Sequence, residues 1–218
     1  MFCQQLKIHN ENMTRTSHET YLGEIVSCDG RNDLNIENRR NKGIGAISQI
    51  FTTLKQVHCE VALIMRDTML ISKLIFPSEI WYNITKQQFK KLEVIDERFM
   101  RKLLDVPSST PLIILYIDCG KTNIKLLIKM RRMMYYWQIV NLNKEELVSM
   151  FYTAQTFRPV KNDWVVQLAK DKADLGIQNM KDEDVRKIPQ QKFKTFLKNK
   201  INQIRYTNLR EIQEKQSK

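Results

Sequence analysis

The stretch TKQQFKKLEVIDERFMRKLLDVP, residues 85–107, carries the clearest helical pattern in the chain. Its large apolar residues recur every three or four positions, which places them on one face of an α-helix. They are Phe89, Leu92, Ile95, Phe99 and Leu103. Thr85 and Gln88 have the spacing of a capping box, in which each side chain accepts a hydrogen bond from the other residue's backbone. Because Pro107 follows and cannot continue a helix, the pattern predicts one amphipathic helix with a defined start and end.

Helical spacing also dominates the rest of the chain after the first 30 residues. Segments with apolar residues on one face run over 34–57, 59–74, 122–142, 163–173 and 182–216. Only residues 5–9 and 20–27 have the pattern of strands, and we expect them to form one antiparallel pair. The predicted fold class is therefore mainly α, a helical bundle with a short N-terminal β-hairpin. We divide the chain into the hairpin (1–30), a first helical segment (31–120) and a second helical segment (121–218).

The composition is that of a globular protein. Hydrophobic residues make up 42% and charged residues 28% of the 218 positions, unlike the balance of a disordered chain. No apolar run approaches the ~20 residues that a membrane span needs, and the N-terminus lacks the pattern of a secretory signal. The four cysteines are scattered without a CxxC pair, which is typical of reduced thiols. We therefore expect an intracellular location, nuclear or cytoplasmic, and no membrane partner.

Positive charge is concentrated in the C-terminal part of the chain. The net charge is +12, yet residues 1–120 hold 15 Lys and Arg against 14 Asp and Glu. Residues 121–218 hold 21 against 10. Such a surface favours a polyanionic partner, with nucleic acid ahead of an anionic membrane. The alternative interpretation is that these lysines only solvate the outer faces of helices.

The helix predicted over 122–142 carries the most regular basic pattern. Spacings of four, four and three place four cations on one face, with Arg131 beside them. They are Lys121, Lys125, Lys129 and Arg132. Cations in this arrangement can neutralise successive phosphates without reading bases, whereas the alternative is a solvated helix face. The run MMYYW at 133–137 can stack on bases or, at the same spacing, belong to the core.

No constellation of residues indicates catalysis. The histidines His9, His18 and His58 lack the spacing of metal ligands, both with one another and with the cysteines. Acidic residues cluster at 182–184, where they fit the positive end of a helix better than a metal ion. Nothing distinguishes one cysteine as an activated nucleophile. We therefore expect no enzyme activity, no metal or other cofactor and no small-molecule substrate.

Five stretches together resemble one protein family. They are ETYLGEIVSCDG (19–30), NIENRRNKGIGAISQI (35–50), LEVIDERFMRKLLDVPSSTP (92–111), KMRRMMYYWQIVNL (129–142) and EIQEKQSK (211–218). In this order they resemble the segment after the polymerase palm in non-LTR, LINE-like retrotransposon reverse transcriptases. The resemblance covers nearly the whole chain.

The resemblance implies roles for particular residues. Tyr21, Leu22 and Gly23 correspond to the primer grip, a hairpin that holds the primer end. The helices after it correspond to the thumb and connection, which clamp the template–primer duplex by its backbone. The first thumb helix would carry three cations, Arg39, Arg40 and Lys42.

Departures from the family pattern affect the expected function. The family's paired metal-binding aspartates lie upstream in a Tyr-X-Asp-Asp turn, and this chain has no Asp-Asp pair. The zinc-binding and nuclease segments are also absent, and VHCEVAL (57–63) and CGKTNIKLL (119–127) differ from the pattern. We therefore expect a non-catalytic fragment of an RNA-directed DNA polymerase that binds RNA or DNA through its basic helical surface. The alternative is a structural or protein-interaction module, or a remnant without selected activity.

Overall fold

The protein is mainly helical. A computed structural model describes residues 7–8, 11–12, 16–21, 23–53, 58–82, 84–161 and 163–216. The helices are α1 (Asp33–Thr53), α2 (Cys59–Met65), a π-helical segment (Arg66–Ile71), α3 (Ser72–Ile75), α4 (Lys86–Leu104), α5 (Leu112–Asp118), α6 (Ile124–Asn141), α7 (Leu147–Phe157), α8 (Trp164–Asp174), α9 (Asp182–Arg186) and α10 (Gln190–Gln216). With a β-hairpin near the N-terminus, this confirms the predicted fold class.

The strands pair differently from the prediction. β1 (Lys7–Ile8) pairs with β2 (Glu11–Asn12), and β3 (His18–Tyr21) pairs antiparallel with β4 (Glu24–Ser27). The expected pairing of residues 5–9 with 20–27 is therefore wrong, because the second stretch folds back on itself. Gly23 has a φ of 80°, a left-handed conformation that suits glycine in a tight turn. Closing so short a loop orders less chain than pairing with a distant strand.

Helix α4 begins as its sequence predicts. The Thr85 side chain accepts a hydrogen bond from the Gln88 backbone N–H at 3.2 Å, and the Gln88 side chain accepts from the Thr85 N–H at 2.9 Å. At the other end, Asp105 adopts a left-handed conformation with a φ of 50°. The capping box and the stop before Pro107 are both confirmed.

A first core joins α1, the helical run from α2 to α3, and α4. Its fully buried members include Ile36, Ile50, Leu70, Leu74, Leu92 and Phe99. Gly43 makes this packing close: a Cβ there would collide with the Leu74 side chain and lie 3.1 Å from Cγ2 of Ile95. Gly45, two residues on, has nothing within 4 Å of its Cβ position. Only the first of these glycines is therefore required by a neighbouring helix.

A second core is built on α6 and the helices after it. Its buried members include Met133, Tyr136, Leu168, Phe193, Leu197 and Ile201. Ile124 and Ile128 of α6 belong instead to the first core, so this helix contributes to both. Burial of Met133 and Tyr136 confirms the core interpretation for these two members of the MMYYW run. No helix in the described part of the chain is both long and apolar enough to cross a membrane.

Candidate nucleic-acid interface

A groove of about 810 Å³ runs along α6, with α10 on one side and the region around α3 on the other. Five cations and two carboxylates are among the residues that line it. The cations are Arg66, Lys121, Arg131, Lys194 and Lys198, and the carboxylates are Asp67 and Glu79. The groove is therefore a positively charged concave surface.

The α10 side of the groove supplies its uncompensated charge. Lys194 and Lys198 are exposed, and neither has an ion-pair or hydrogen-bond partner among the described residues. They lie one helical turn apart, about 6 Å along the axis at 1.5 Å per residue. Their ammonium groups are thus free to bind an anion in the groove. The sequence already contained this four-residue spacing, but it did not show which side of α10 borders a groove.

The opposite side holds cations that already have partners. Arg131 Nη1 lies 3.8 Å from Glu79 Oε2 and donates to the Ile75 carbonyl at 3.2 Å. Lys121 Nζ lies 2.6 Å from Asp67 Oδ2. The 3.8 Å separation makes the Arg131 pair the looser of the two, so Arg131 can turn toward an anion more readily than Lys121.

The groove has an apolar floor. Leu127, Met130 and Met134 of α6 line it together with Tyr135. Burial, and second the Glu79 carboxylate, raise the pKa of Tyr135. Its hydroxyl, which an ordinary tyrosine already keeps protonated at neutral pH, therefore ionises only at still more alkaline pH. A ligand in the groove would meet cations at the sides and apolar or aromatic surface beneath.

The groove is extended toward the end of α10. An adjoining recess of about 290 Å³ shares Leu127, Met130 and Lys198, and adds Asn202 and Arg205. Arg205 Nη2 donates to the Tyr116 carbonyl at 2.9 Å, whereas its Nε has no hydrogen-bond partner among the described residues. The positive edge of α10 therefore continues beyond Lys198.

A buried ion-pair network is centred on Arg66, one of the residues that line the groove. Arg66 donates to Asp96 through Nε at 2.7 Å and through Nη2 at 2.6 Å. Its Nη2 also donates to the Thr122 carbonyl at 3.0 Å, and the Tyr116 hydroxyl donates to Asp96 at 2.7 Å. Burial, and second the Asp96 carboxylate, raise the pKa of Tyr116. The network ties the π-helical segment to α4, α5 and the start of α6, and sequence spacing did not predict it.

The predicted basic stripe on α6 is not a solvent-exposed surface, so that expectation is wrong. Lys129 is buried and pairs with Asp174. Arg132 is buried, pairs with Asp171 and donates to the Trp81 carbonyl at 2.7 Å. The spacing does place these side chains on one face, but α8 covers that face with its own carboxylates. Of the four cations in the stripe, Lys125 alone is both exposed and without a partner among the described residues.

The three cations predicted for the first thumb helix also differ in whether they are available to a ligand. Arg39 is buried, donating to Glu24 at 2.7 Å and to the Gly23 carbonyl at 2.8 Å, so it is not available to a ligand. It instead fixes the hairpin to α1. Arg40 is half-buried and pairs with Glu37 at 2.6 Å. Lys42 is exposed, with no ion-pair partner in the described ranges.

The primer-grip-like residues lie on the hairpin. Tyr21 is exposed at the end of β3, and Gly23 is half-buried in the turn. Leu22 lies outside the described residues. Glu24 follows the turn and also accepts a hydrogen bond from the Trp81 indole at 2.6 Å. The hairpin and the groove are thus built from different elements.

Three comparisons with known proteins find no similar protein. The chain matches no family model, no curated protein and no solved structure. The resemblance to reverse transcriptases therefore stays a prediction. Within the described ranges, no group of three or more His, Cys, Asp or Glu side chains is placed to hold a metal ion.

Proposed function

We propose that the groove between α6 and α10 binds the phosphate backbone of nucleic acid without sequence preference. One observation carries the proposal: Lys194 and Lys198 have no ion-pair partner among the described residues, and both border a concave surface. Arg131, in its loose pair with Glu79, lies on the opposite side. A strand in the groove would therefore meet positive charge on both sides.

The floor and the sides of the groove suit different parts of a nucleotide. Lysine contacts to phosphates release counterions and position a strand without reading its sequence. Aromatic and apolar side chains beneath, such as Tyr135 and Met134, can contact bases or sugars of any identity. This combination favours nucleic acid over a simple inorganic anion.

We also propose that the chain derives from a retrotransposon reverse transcriptase of the non-LTR type, and that nucleic-acid binding is what it retains of template–primer contact. The five matching stretches in the sequence support this origin. In this proposal binding no longer depends on Arg39, Lys129 or Arg132, because all three are engaged inside the protein.

Salt dependence of binding tests the proposal. We expect the affinity for a labelled template–primer duplex, measured by fluorescence anisotropy, to fall steeply as salt rises. The double variant Lys194→Gln/Lys198→Gln should reduce the slope of log K against log salt by about 1.8, or about 0.9 for each lost phosphate contact. Its affinity at low salt should fall at least about tenfold, the effect of 1.4 kcal/mol.

A matched variant controls for net charge. Lys86→Gln/Lys170→Gln removes the same two charges from exposed positions outside the groove that lack partners among the described residues. It should keep most of the affinity. Binding that is insensitive to salt, or an equal loss in the two double variants, would contradict the groove as the binding surface.

A further inference from the structure

Helix α7 presents large apolar side chains to solvent. Leu147 is 66% exposed, Met150 55%, Phe151 59% and Phe157 84%. No charged residue occurs between Leu147 and Phe157. Exposed apolar residues are common singly, but a contiguous group of this kind marks an interaction surface.

These side chains share one face of the helix. They are spaced three or four residues apart, with the small Ala154 between them. Residues at this spacing form a seam like that of a coiled coil. The opposite face packs inward: Ser149 is buried, and the Tyr152 hydroxyl donates to Asp182 at 3.0 Å. We name the outward face, Leu147, Met150, Phe151, Ala154 and Phe157, the α7 seam. No part of the described chain covers it.

An apolar recess adjoins the seam. It has a volume of about 210 Å³ and is lined by Ile80, Tyr82, Val148, Phe151 and Trp164, among others. Ile80 is itself 46% exposed. The recess widens the apolar surface beyond a single helix face, so that a side chain of a docked partner has a place to insert.

The two ends of α7 carry opposite charge. Glu145 and Glu146 precede the helix, whereas Arg158 and Lys161 follow it. All four are exposed and have no ion-pair partner among the described residues. Lys144 at the first end and Asp163 at the second reduce the difference in charge, but residues 144–146 still carry a net −1 (one Lys, two Glu) and residues 158–163 a net +1 (one Arg, one Lys, one Asp).

This arrangement is self-complementary when two helices run antiparallel. The acidic end of one helix then meets the basic end of the other twice, while a parallel pair would bring like charges together. A two-fold axis is also the commonest symmetry of protein dimers. We propose that a second copy of this chain docks on the α7 seam, antiparallel, burying the seam of each copy. None of the seam residues lines the groove, although the recess shares Ile80 and Tyr135 with it. The proposal does not depend on nucleic-acid binding.

Sedimentation velocity tests self-association of the full chain between about 1 µM and about 1 mM, the range of affinities expected for a weak dimer. We expect the wild type to shift from monomer to dimer in this range, and Phe157→Asp to remain monomeric. Ile64→Asp is the matched control, because Ile64 is 60% exposed on α2, away from the seam. It should dimerise like the wild type.

Charge reversal tests the antiparallel geometry. Glu145→Lys/Glu146→Lys and Arg158→Glu/Lys161→Glu should each lose at least about tenfold in dimer affinity, the effect of 1.4 kcal/mol. Mixed together, the two variants should form a heterodimer, because each reversed end then meets a complementary one. The recovery on mixing also shows that both variants are folded.

Three outcomes would overturn the proposal. The first is a wild type that stays monomeric throughout the concentration range. The second is a dimer that survives Phe157→Asp, which would place the interface elsewhere. The third is a monomer that binds phosphatidylcholine vesicles through Phe157, which would assign the seam to a lipid surface.

Discussion

Arg66 and Asp96 form a bidentate ion pair in the interior of the protein, although 30 residues separate them in the chain. Nε of Arg66 lies 2.7 Å from Oδ1 of Asp96, and Nη2 lies 2.6 Å from Oδ2. Both side chains are almost completely excluded from solvent. Because the pair joins the π-helical segment to α4, it fixes the position of Arg66, which lines the groove.

Removing the Asp96 charge should destabilise the protein strongly. Asp96→Asn removes the buried counter-charge of Arg66 and leaves its guanidinium only the half-exposed Asp67, 2.7 Å from Nη1. Loss of one partner of a buried pair typically costs about 3–5 kcal/mol. Urea unfolding monitored by circular dichroism measures the change in the free energy of unfolding. Asp118→Asn is the control, since Asp118 is exposed and should change stability by no more than about 0.5 kcal/mol. A change below about 1 kcal/mol for Asp96→Asn would contradict the buried pair.

The two glycines of α1 should respond in opposite directions to the same substitution. Gly43→Ala places a Cβ against the Leu74 side chain and should destabilise by about 1–3 kcal/mol. Gly45→Ala meets nothing within 4 Å and should stabilise the helix by about 0.5–1 kcal/mol. Thermal unfolding of the two variants in parallel makes the comparison. Equal effects would show that α1 does not pack closely at Gly43.

The cations of the predicted basic stripe should differ in their effect on stability, because some are buried in ion pairs and one is exposed. Arg132→Met leaves the buried Asp171 with only the Gln167 amide, which donates to it at 3.1 Å, and without its charged partner. The free energy of unfolding should fall by about 3–5 kcal/mol. Lys125→Gln, on the same helix but exposed, should change it by at most about 0.5 kcal/mol. Chemical denaturation of both variants measures these changes. A similar small loss in the free energy of unfolding for both would indicate that Arg132, like Lys125, is a solvated surface residue.

We expect the free energy of unfolding to fall at alkaline pH, partly because the buried tyrosines resist ionisation in the folded state. Burial, and second the hydrogen bond to Asp182, raise the pKa of Tyr136 in the folded state, and burial together with Asp182 raises the pKa of Tyr152. The folded state therefore keeps protons that the unfolded state releases above about pH 10, the ordinary tyrosine pKa. By linkage this stabilisation is complete below that pH and is lost as pH rises further.

The measurement compares unfolding midpoints between about pH 8 and about pH 11. Lys172 contacts the Tyr136 ring, and burial lowers the pKa of Lys172. The contribution of Lys172 to stability therefore rises with pH and opposes the tyrosine effect. Tyr152→Phe should be less stable at neutral pH by about 1 kcal/mol for the lost hydrogen bond, but should show a shallower alkaline decline. An unchanged decline would exclude Tyr152 as a contributor.

Local features of the fold could be predicted from the sequence because they depend on residues within a few positions of one another. The capping box of Thr85 and Gln88, the apolar stripe of α4 and the stop before Pro107 are of this kind. The existence of a hairpin was also predictable, but its partner strand was not. The pattern of strand residues does not show that Gly23 turns the chain within the stretch.

The sequence by itself thus determined the helical class, the main helix boundaries and the excess of positive charge in the second half of the chain. Tertiary structure alone decided which cations remain free. Arg132 meets Asp171 from 39 positions away, and Lys129 meets Asp174 from 45. Helical spacing places a side chain on a face, but which distant element covers that face depends on the packing of the whole chain. For the same reason the unpaired cations of the groove are Lys194 and Lys198, beside a surface that exists only once α6 and α10 have come together.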